Sequence, residues 1–398
     1  MGQRLSSRPA PSSPSSPPKS PKLDTPRKPV PLSPFLSSKS PPPTACFRGA
    51  AGLAELGLCY RLSPAPPHLS FQYQPVDPAL SAARPAAELT RLTHIQSGTT
   101  LTPGNFRTYV SQGVMYDEVG RLASEHIQGI FEAEFDLVRV AGTTGGGTQV
   151  GSVDGCWVPR LPLSSFAGLL VVVPGKGKVQ AGIWGRELCM SHSIEEGSAL
   201  LHLREARARG WGVVLLNPNA KQDRSTFVQT KLGYLSFDLQ WREVVVAPLL
   251  SAAAPSPSSP TPQPHPPIFV LAHSQAGAQV AKTLADPAST PASVLDAVAA
   301  LAMTDGTHGL WQCEGRPALA EKLVHATLYC RSTPGENCVH RVGERHEPDE
   351  YWLRRFGAMR TVWAGTRNHP FTNFTCLTTI FAFFDEKGAA LETEGEFN

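Results

Sequence analysis

Three residues in the second half of the chain have side chains that could together carry out nucleophilic catalysis. Ser274 lies just after the apolar run 268–272, Asp305 follows the apolar run 295–303, and His369 follows the segment 361–364. A histidine can take the proton of a serine hydroxyl, and a carboxylate can fix the tautomer of that histidine and stabilise its charged form. The three residues therefore predict an acyl-transfer site with a serine nucleophile, an acid and a histidine base.

The surroundings of Ser274 favour a sharp turn from a strand into a helix. Such a turn needs small residues two positions before and two positions after the serine, and Ala272 and Ala276 stand there. The segment resembles the nucleophile elbow of α/β-hydrolases, in which glycine is the usual residue at both places. The alternative interpretation of Ser274 is the N-cap of a helix that follows a buried strand.

The acid has two candidates, each in a loop after a predicted strand. Asp305 follows the predicted strand 295–303, and Glu336 follows the predicted strand 323–329. The chain order Ser, acid, His is that of α/β-hydrolases, and both loops are places where such folds carry the acid. We predict Asp305 as the acid and keep Glu336 as the alternative, although Asp305 could also be a turn residue.

Backbone donors for an oxyanion are expected from two loops. One is the N–H of Gln275, and the other belongs to the loop after 168–173, where Gly175 and Gly177 allow a close approach. This glycine pair lacks the spacing of a phosphate-binding loop, and Lys176 is not followed by Ser or Thr. We therefore expect no nucleotide and no other cofactor.

The elements that must position these residues alternate between buried strands and helices. This alternation predicts an α/β fold with a doubly wound, mostly parallel sheet of α/β-hydrolase type. We predict strands at 168–173, 213–216, 268–272, 295–303, 323–329 and 361–364, and helices at 105–134, 195–209, 235–250, 276–285 and 374–384.

Composition divides the chain into a tail, a domain and an insertion. Residues 1–44 hold 13 of the 38 prolines and residues 252–267 hold seven more, so we expect a disordered Pro/Ser-rich tail and a disordered insertion within a domain spanning 53–385. The tail carries seven lysines and arginines against one aspartate, whereas the whole chain is only +3. The rest is therefore net negative, which argues against a strong intrinsic nucleic-acid surface on the folded domain.

Cysteine spacing and hydropathy limit the other classes of function. The eight cysteines include no C-x-x-C pair and no zinc-finger spacing, so we expect no metal site and a reduced intracellular environment. No apolar run is long enough for a membrane span, which predicts a soluble protein. The N-terminus fits the M-G-x-x-x-[ST] pattern, so Gly2 is a candidate for lipidation and, with the basic tail, for weak membrane association.

Four segments taken together resemble the Argonaute-binding-protein-two domain family, especially its animal branch of cotranscriptional regulators. The segments are Pro174-Gly175-Lys176-Gly177 through Ala181-Gly182-Ile183-Trp184; Trp211-Gly212-Val213-Val214-Leu215-Leu216-Asn217-Pro218-Asn219; Ala272-His273-Ser274; and Ala364-Gly365-Thr366 with His369. The resemblance spans roughly 53–385 without the insertion. It implies an α/β-hydrolase fold with Ser274, Asp305 and His369 at triad-like positions, and Argonaute, small-RNA or chromatin proteins as partners.

The sequence departs from the family pattern around the expected site. Pro174 replaces a histidine before the glycine loop, Gln275-Ala276 replaces an aromatic residue and a glycine, and Gly306 replaces a serine. These changes favour a scaffold or adaptor in small-RNA-linked gene silencing or chromatin regulation, acting in the nucleus or cytoplasm. The alternative is an active serine hydrolase of the esterase or amidase type that uses Ser274, His369 and Asp305.

Overall fold

An eight-stranded mixed sheet lies at the centre of the protein, and helices cover both of its faces. The computed structural model describes residues 49–64, 88–140, 153, 155–220, 237–254, 264–332 and 340–395. The tail 1–44 with Gly2, part of the insertion (255–263) and Glu336 lie outside these residues.

The described residues form ten strands and a larger set of helices. The strands are β1 (Leu58–Pro64), β2 (Glu88–His94), β3 (Leu137–Arg139), β4 (Trp157–Pro159), β5 (Gly168–Val173), β6 (Trp211–Leu215), β7 (Ile268–His273), β8 (Val298–Thr304), β9 (Thr327–Arg331) and β10 (Arg360–Trp363). The α-helices are α1 (Ala50–Glu55), α2 (Phe106–Tyr109), α3 (Val114–Phe135), α4 (Arg186–Ser191), α5 (Ile194–Gly197), α6 (Leu200–Ala208), α7 (Ala247–Ala253), α8 (Ala276–Ala285), α9 (Ala292–Ala297), α10 (Pro317–Ala326), α11 (Glu350–Phe356), α12 (Thr372–Thr375) and α13 (Leu377–Gly395). A π-helical segment spans Trp241–Val246, and 3-10 turns lie at Leu163–Ser165, Leu310–Cys313 and His369–Phe371.

The strand order changes direction at one place in the sheet. The order is β10-β9-β8-β7-β5-β6-β4-β3, with parallel pairing from β10 to β6 and antiparallel pairing of β4 and β3. After β5 the chain adds β6 on one side, and it later adds β7 on the other side. The connections that leave β5 and β7 therefore run toward opposite edges of the sheet, and in open α/β sheets ligands bind at the carboxyl ends of such a strand pair.

The central strands are apolar on both faces because helices cover both sides of the sheet. Every residue of β5 is buried. Leu170 and Val172 pack into the core on one face, while Leu169, Val171 and Val173 pack into the core on the other. This two-sided burial explains why the strand was recognisable as a continuous apolar run.

A second, two-stranded sheet lies outside the predicted elements. β1 and β2 pair in an antiparallel manner and pack with α1–α3 around a separate core that includes Leu53, Leu92 and Phe106. The carboxylate of Glu195 on α5 accepts hydrogen bonds from the Thr90 N–H at 2.8 Å and the Thr90 hydroxyl at 2.9 Å. A buried charged side chain thus attaches β2 to the domain.

Both edges of the large sheet are short or covered. β3, at one edge, has three residues. At the other edge, the backbone of residues 343–346 pairs with β10: the Gly343 N–H donates to the Trp363 carbonyl at 2.9 Å, and the Trp363 N–H donates to the Glu344 carbonyl at 2.8 Å.

Most predicted strands lie where the sequence placed them, but two begin later. Residues 295–297 belong to α9 and residues 323–326 belong to α10. The strand predictions 295–303 and 323–329 were therefore wrong over their first three and four residues. In both places an apolar helix turn leads directly into an apolar strand, and hydropathy alone does not separate the two. The predicted helix 105–134 is also divided, because Gly113 has a φ of 79° before α3 begins.

We expect the side chain of Gln240 to stabilise the backbone at Asn217, just after the end of β6. Its amide accepts from the Asn217 N–H at 2.8 Å and donates to the Asn217 carbonyl at 2.8 Å, and the side chain is fully buried. The substitution Gln240→Ala leaves two buried backbone groups without these partners, which should lower the free energy of unfolding by about 2–4 kcal/mol. Chemical denaturation measures the change.

The matched control is Glu321→Ala, an exposed helical position, which should change the free energy of unfolding by less than about 0.5 kcal/mol. A loss below about 1 kcal/mol in Gln240→Ala would contradict the assignment.

Candidate active site

Ser274 lies in a strained turn at the carboxyl end of β7. Its φ is 56°, in the left-handed region that non-glycine residues rarely adopt, and such strain is concentrated at functional sites. The turn is held by its backbone: the Ser274 N–H donates to the Thr304 carbonyl at 3.0 Å, and the Ser274 carbonyl accepts from the Thr307 N–H at 3.1 Å. Ala272 and Ala276 are both fully buried, as small residues in an elbow must be.

The glycine loop after β5 lies directly against this serine. A Cβ atom added to Gly175 would lie 2.9 Å from the Ser274 Cβ, closer than real Cβ atoms approach other atoms, and 3.1 Å from the His273 Cδ2, which is also a tight contact. Glycine is therefore required at position 175 by the close approach of the two loops.

The two glycines of this loop have different hydrogen-bonding roles. The Gly177 N–H donates to the Asn219 Oδ1 at 3.3 Å, so it is not free to bind an oxyanion. The Asn219 amide in turn donates to the Gly175 carbonyl at 2.9 Å and the Val179 carbonyl at 3.0 Å. Within the described part of the chain, the N–H groups of Gly175 and Gln275 donate to no other group. Of the three predicted oxyanion donors, Gly175 and Gln275 thus keep an uncommitted N–H among the described residues, whereas Gly177 does not.

The structure brings Asp305 and His369 into direct contact. The His369 Nδ1 lies 2.5 Å from the Asp305 Oδ2. Asp305 also accepts from Ser332, at 2.7 Å from the hydroxyl and 3.2 Å from the N–H. Burial raises the pKa of Asp305, but the hydrogen bonds from His369 and Ser332 outweigh it, so the pKa lies below its ordinary value. The carboxylate is therefore ionised near neutral pH, and as an acceptor it takes a hydrogen bond from the His369 Nδ1–H.

The imidazole of His369 packs beside the residue that precedes Ser274. Its ring centroid lies 4.4 Å from that of His273. Among the described residues, the Ser274 hydroxyl makes no side-chain hydrogen bond, so the serine–histidine bond is not formed in this state. Such bonds are often long without substrate and form when the substrate binds.

Two polar residues of this region were not identified from the sequence. Ser332 directly follows β9 and precedes the alternative acid Glu336 by four residues in the sequence. A hydroxyl residue at the carboxyl end of a predicted strand was the signal that could have identified it. Asn219 lies in the Asn217-Pro218-Asn219 turn after β6, and its sequence context indicates only a turn. Glu336 itself lies outside the described residues. The structure shows the contact of His369 with Asp305, the first of the two predicted acids.

The described residues add two observations about other classes of site. They contain no group of three or more His, Cys, Asp or Glu side chains arranged to hold a metal ion. None of their helices is long and apolar enough to cross a membrane.

The elbow, the Ser-Asp-His chain order and the mostly parallel sheet define a protein of the α/β-hydrolase fold class. No protein-family model matches the chain. The Cotranscriptional regulator ARB2A of Homo sapiens is 23% identical over 69% of this chain and 72% of that protein. Its homologue in Gallus gallus is 22% identical over 68% of this chain and 71% of that protein. This chain is thus a homologue of the ARB2A cotranscriptional regulators, which confirms the resemblance to the animal branch.

Two solved structures are also similar to this chain. A histone deacetylase from Saccharomyces cerevisiae matches with a TM-score of 0.42 and 12% identity, over 67% of this chain and 97% of that chain. The carboxylesterase Cest-2923 from Lactobacillus plantarum matches with a TM-score of 0.27 and 15% identity, over 50% of this chain and 73% of that chain. With TM-scores below 0.5, these likenesses do not bear on the chemistry of this chain.

Buried histidines should make the protein sensitive to acid. Burial lowers the pKa of His126 to about 4 and lowers the pKa values of His202, His273 and His308 to about 3. In the unfolded chain these histidines bind a proton near pH 6.5, whereas in the native state they stay neutral until the pH is much lower. Stability should therefore fall as the pH drops from about 6.5 to 4.5, by up to about 1.4 kcal/mol per pH unit for each histidine.

Urea denaturation at several pH values measures this slope. Burial raises the pKa of Glu196, so this one group makes the protein more stable as the pH falls and partly offsets the histidines. The variant His308→Phe should reduce the slope by about one proton. Equal slopes in the wild type and this variant would contradict the assignment of His308.

Proposed function

We propose that this protein is a serine hydrolase of the esterase or amidase type, with Ser274 as nucleophile, His369 as general base and Asp305 as the acid. The observation that carries the proposal is the strained Ser274 beside the 2.5 Å contact between Asp305 and His369. A left-handed serine at the end of a parallel strand is costly to the fold, and the elbow of hydrolases is the structure that uses it.

The proposed reaction follows from the donors and acceptors of these groups. Because His369 carries its proton on Nδ1, facing Asp305, its Nε2 is free to accept the proton of Ser274. The Ser274 oxygen then attacks a carbonyl carbon, and the N–H groups of Gln275 and Gly175 stabilise the negative charge on the carbonyl oxygen. The imidazolium returns its proton to the leaving group, and water releases the acyl group by the reverse of these steps.

Two of the departures from the family pattern, Ala276 and Pro174, leave the proposed site intact. Ala276 is fully buried and keeps the elbow compact, although it replaces a glycine. The loop after β5 retains Gly175, the residue that the approach to Ser274 requires. Pro174 stands before this loop, and the N–H groups needed for an oxyanion belong to other residues.

Fluorophosphonate labelling of the purified chain tests the proposal. The wild type should be labelled covalently at Ser274, and Ser274→Ala and His369→Ala should each lose at least about 1000-fold in labelling rate, because the triad acts as a unit. Ser164→Ala, an exposed serine remote in sequence from the site, should be labelled like the wild type. Absence of labelling in folded wild-type protein would overturn the hydrolase proposal.

A second candidate function is an adaptor in small-RNA-linked gene silencing or chromatin regulation, acting in the nucleus or cytoplasm. The names of the ARB2A relatives support the regulatory part of this role, since these relatives are cotranscriptional regulators and the similarity covers about 70% of both chains. The fold itself supports either function, because a hydrolase fold can serve as a binding surface.

The adaptor role predicts a stable partner whose binding does not need catalysis. Affinity purification of the full chain from cells should recover Argonaute or chromatin proteins, and Ser274→Ala should recover them equally well. If neither class is enriched over an unrelated tagged protein, the adaptor role fails. Loss of a partner in Ser274→Ala would instead tie the interaction to the hydrolase site.

A further inference from the structure

We propose that Asn373 and Thr304 form a buried positioning unit that aligns Ser274, Asp305 and His369. This inference rests on the proposed hydrolase function and deepens it. Neither residue would touch the substrate. Their role is to hold the residue that precedes or follows each proposed catalytic group.

The unit is a chain of hydrogen bonds in the protein interior. Asn373 and Thr304 are both fully buried. The Thr304 Oγ1 lies 2.6 Å from the Asn373 Oδ1, and the Asn373 Nδ2 donates to the Pro370 carbonyl at 3.1 Å. The bond between Thr304 and Asn373 joins β8 to α12, which are far apart in the sequence.

The donor and acceptor of each hydrogen bond in this chain can be assigned by starting from the Pro370 carbonyl at its end. The Pro370 carbonyl can only accept, so the Asn373 amide nitrogen must face it and the amide oxygen must face Thr304. The Thr304 hydroxyl therefore donates to Asn373, and its lone pairs remain available as acceptors. The His273 Nδ1 lies 3.2 Å from this hydroxyl and 3.1 Å from the Thr304 carbonyl, so it is the next donor.

The chain of bonds thereby reaches a neighbour of every proposed catalytic residue. His273 precedes Ser274, Thr304 precedes Asp305, and Pro370 follows His369. Ser274 and Asp305 both have left-handed backbones, with φ values of 56° and 48°. Ser274, Asp305 and His369 must be held in precise relative positions. A hydrogen-bond network can hold them because its groups are buried and do not compete with solvent for their hydrogen bonds.

A local role for Asn373 alone does not account for this arrangement. Its bond to Pro370 is a common contact within one helical turn, and it would form without Thr304. The contact with Thr304 is different, because it places a buried amide and a buried hydroxyl between two separate elements at the base of the site. Two apolar side chains of the same shape would fill this space equally well. The presence of a polar pair instead indicates that its hydrogen bonds hold the neighbouring site residues in position.

Two isosteric variants test the proposal. Thr304→Val removes the hydroxyl, and Asn373→Asp keeps an acceptor for Thr304 but places an oxygen against the Pro370 carbonyl. Each should lower the rate of fluorophosphonate labelling by about 10- to 100-fold, the loss expected from a displacement of about 1 Å. The matched control is Thr375→Val, a buried threonine whose hydroxyl contacts only the carbonyls of its own turn.

A second measurement separates positioning from loss of stability and from loss of the hydrolase function. The proton that His369 Nδ1 donates to Asp305 should give a far-downfield resonance in a spectrum of histidine-labelled protein. Thr304→Val and Asn373→Asp should shift or remove this resonance, while Thr375→Val retains it. The resonance can be measured even if the wild type is not labelled by the fluorophosphonate. Absence of labelling would overturn the proposed hydrolase function but not the positioning role.

The inference is overturned if folded Thr304→Val and Asn373→Asp are labelled within about twofold of the wild type, or if both retain the His369 resonance unchanged. If Asn373→Asp does not fold, Thr304→Val alone decides between these outcomes.

Discussion

The parallel register of β5, β7, β8 and β9 is the constraint on which the site depends. In this register, β7 pairs His273 with Thr304 of β8, and the backbone bonds continue one residue beyond the strands. The Ser274 N–H reaches the Thr304 carbonyl, and the Asp305 N–H reaches the Cys330 carbonyl at 2.7 Å. A slip of one residue would turn every side chain to the opposite face. The same ladder that buries the apolar core therefore also sets where the polar side chains emerge.

This dependence explains which parts of the site could be predicted from the sequence. Buried parallel strands are continuous apolar runs, and the residues that follow them must meet at one edge. The sequence could therefore place Asp305 and His369 at the edge where β7 ends, and the structure shows these two side chains in contact. Their spacing in the sequence was sufficient because the strands do the positioning. The late starts of β8 and β9 did not affect the result, since only the carboxyl ends of these strands matter for the site.

The remaining polar contacts could not be predicted, because they depend on tertiary neighbours and have no motif. Gly177 was an expected oxyanion donor, yet its N–H is used by Asn219, which comes from the turn after β6. Ser332 was not noticed because a single serine after a strand has many ordinary uses. The β1–β2 sheet was also missed, since both strands carry a mixed polar pattern and lie far apart in the sequence.

The covered edges of the large sheet have a consequence for how the protein behaves at high concentration. A strand with free N–H and C=O groups along its side can recruit a strand from another molecule, and broad sheets are prone to this form of aggregation. Among the described residues, one edge offers the three residues of β3, and the backbone of 343–346 occupies the outer side of β10. Within this part of the chain, neither edge of the large sheet offers a long template for a foreign strand, so the fold disfavours self-association through this sheet.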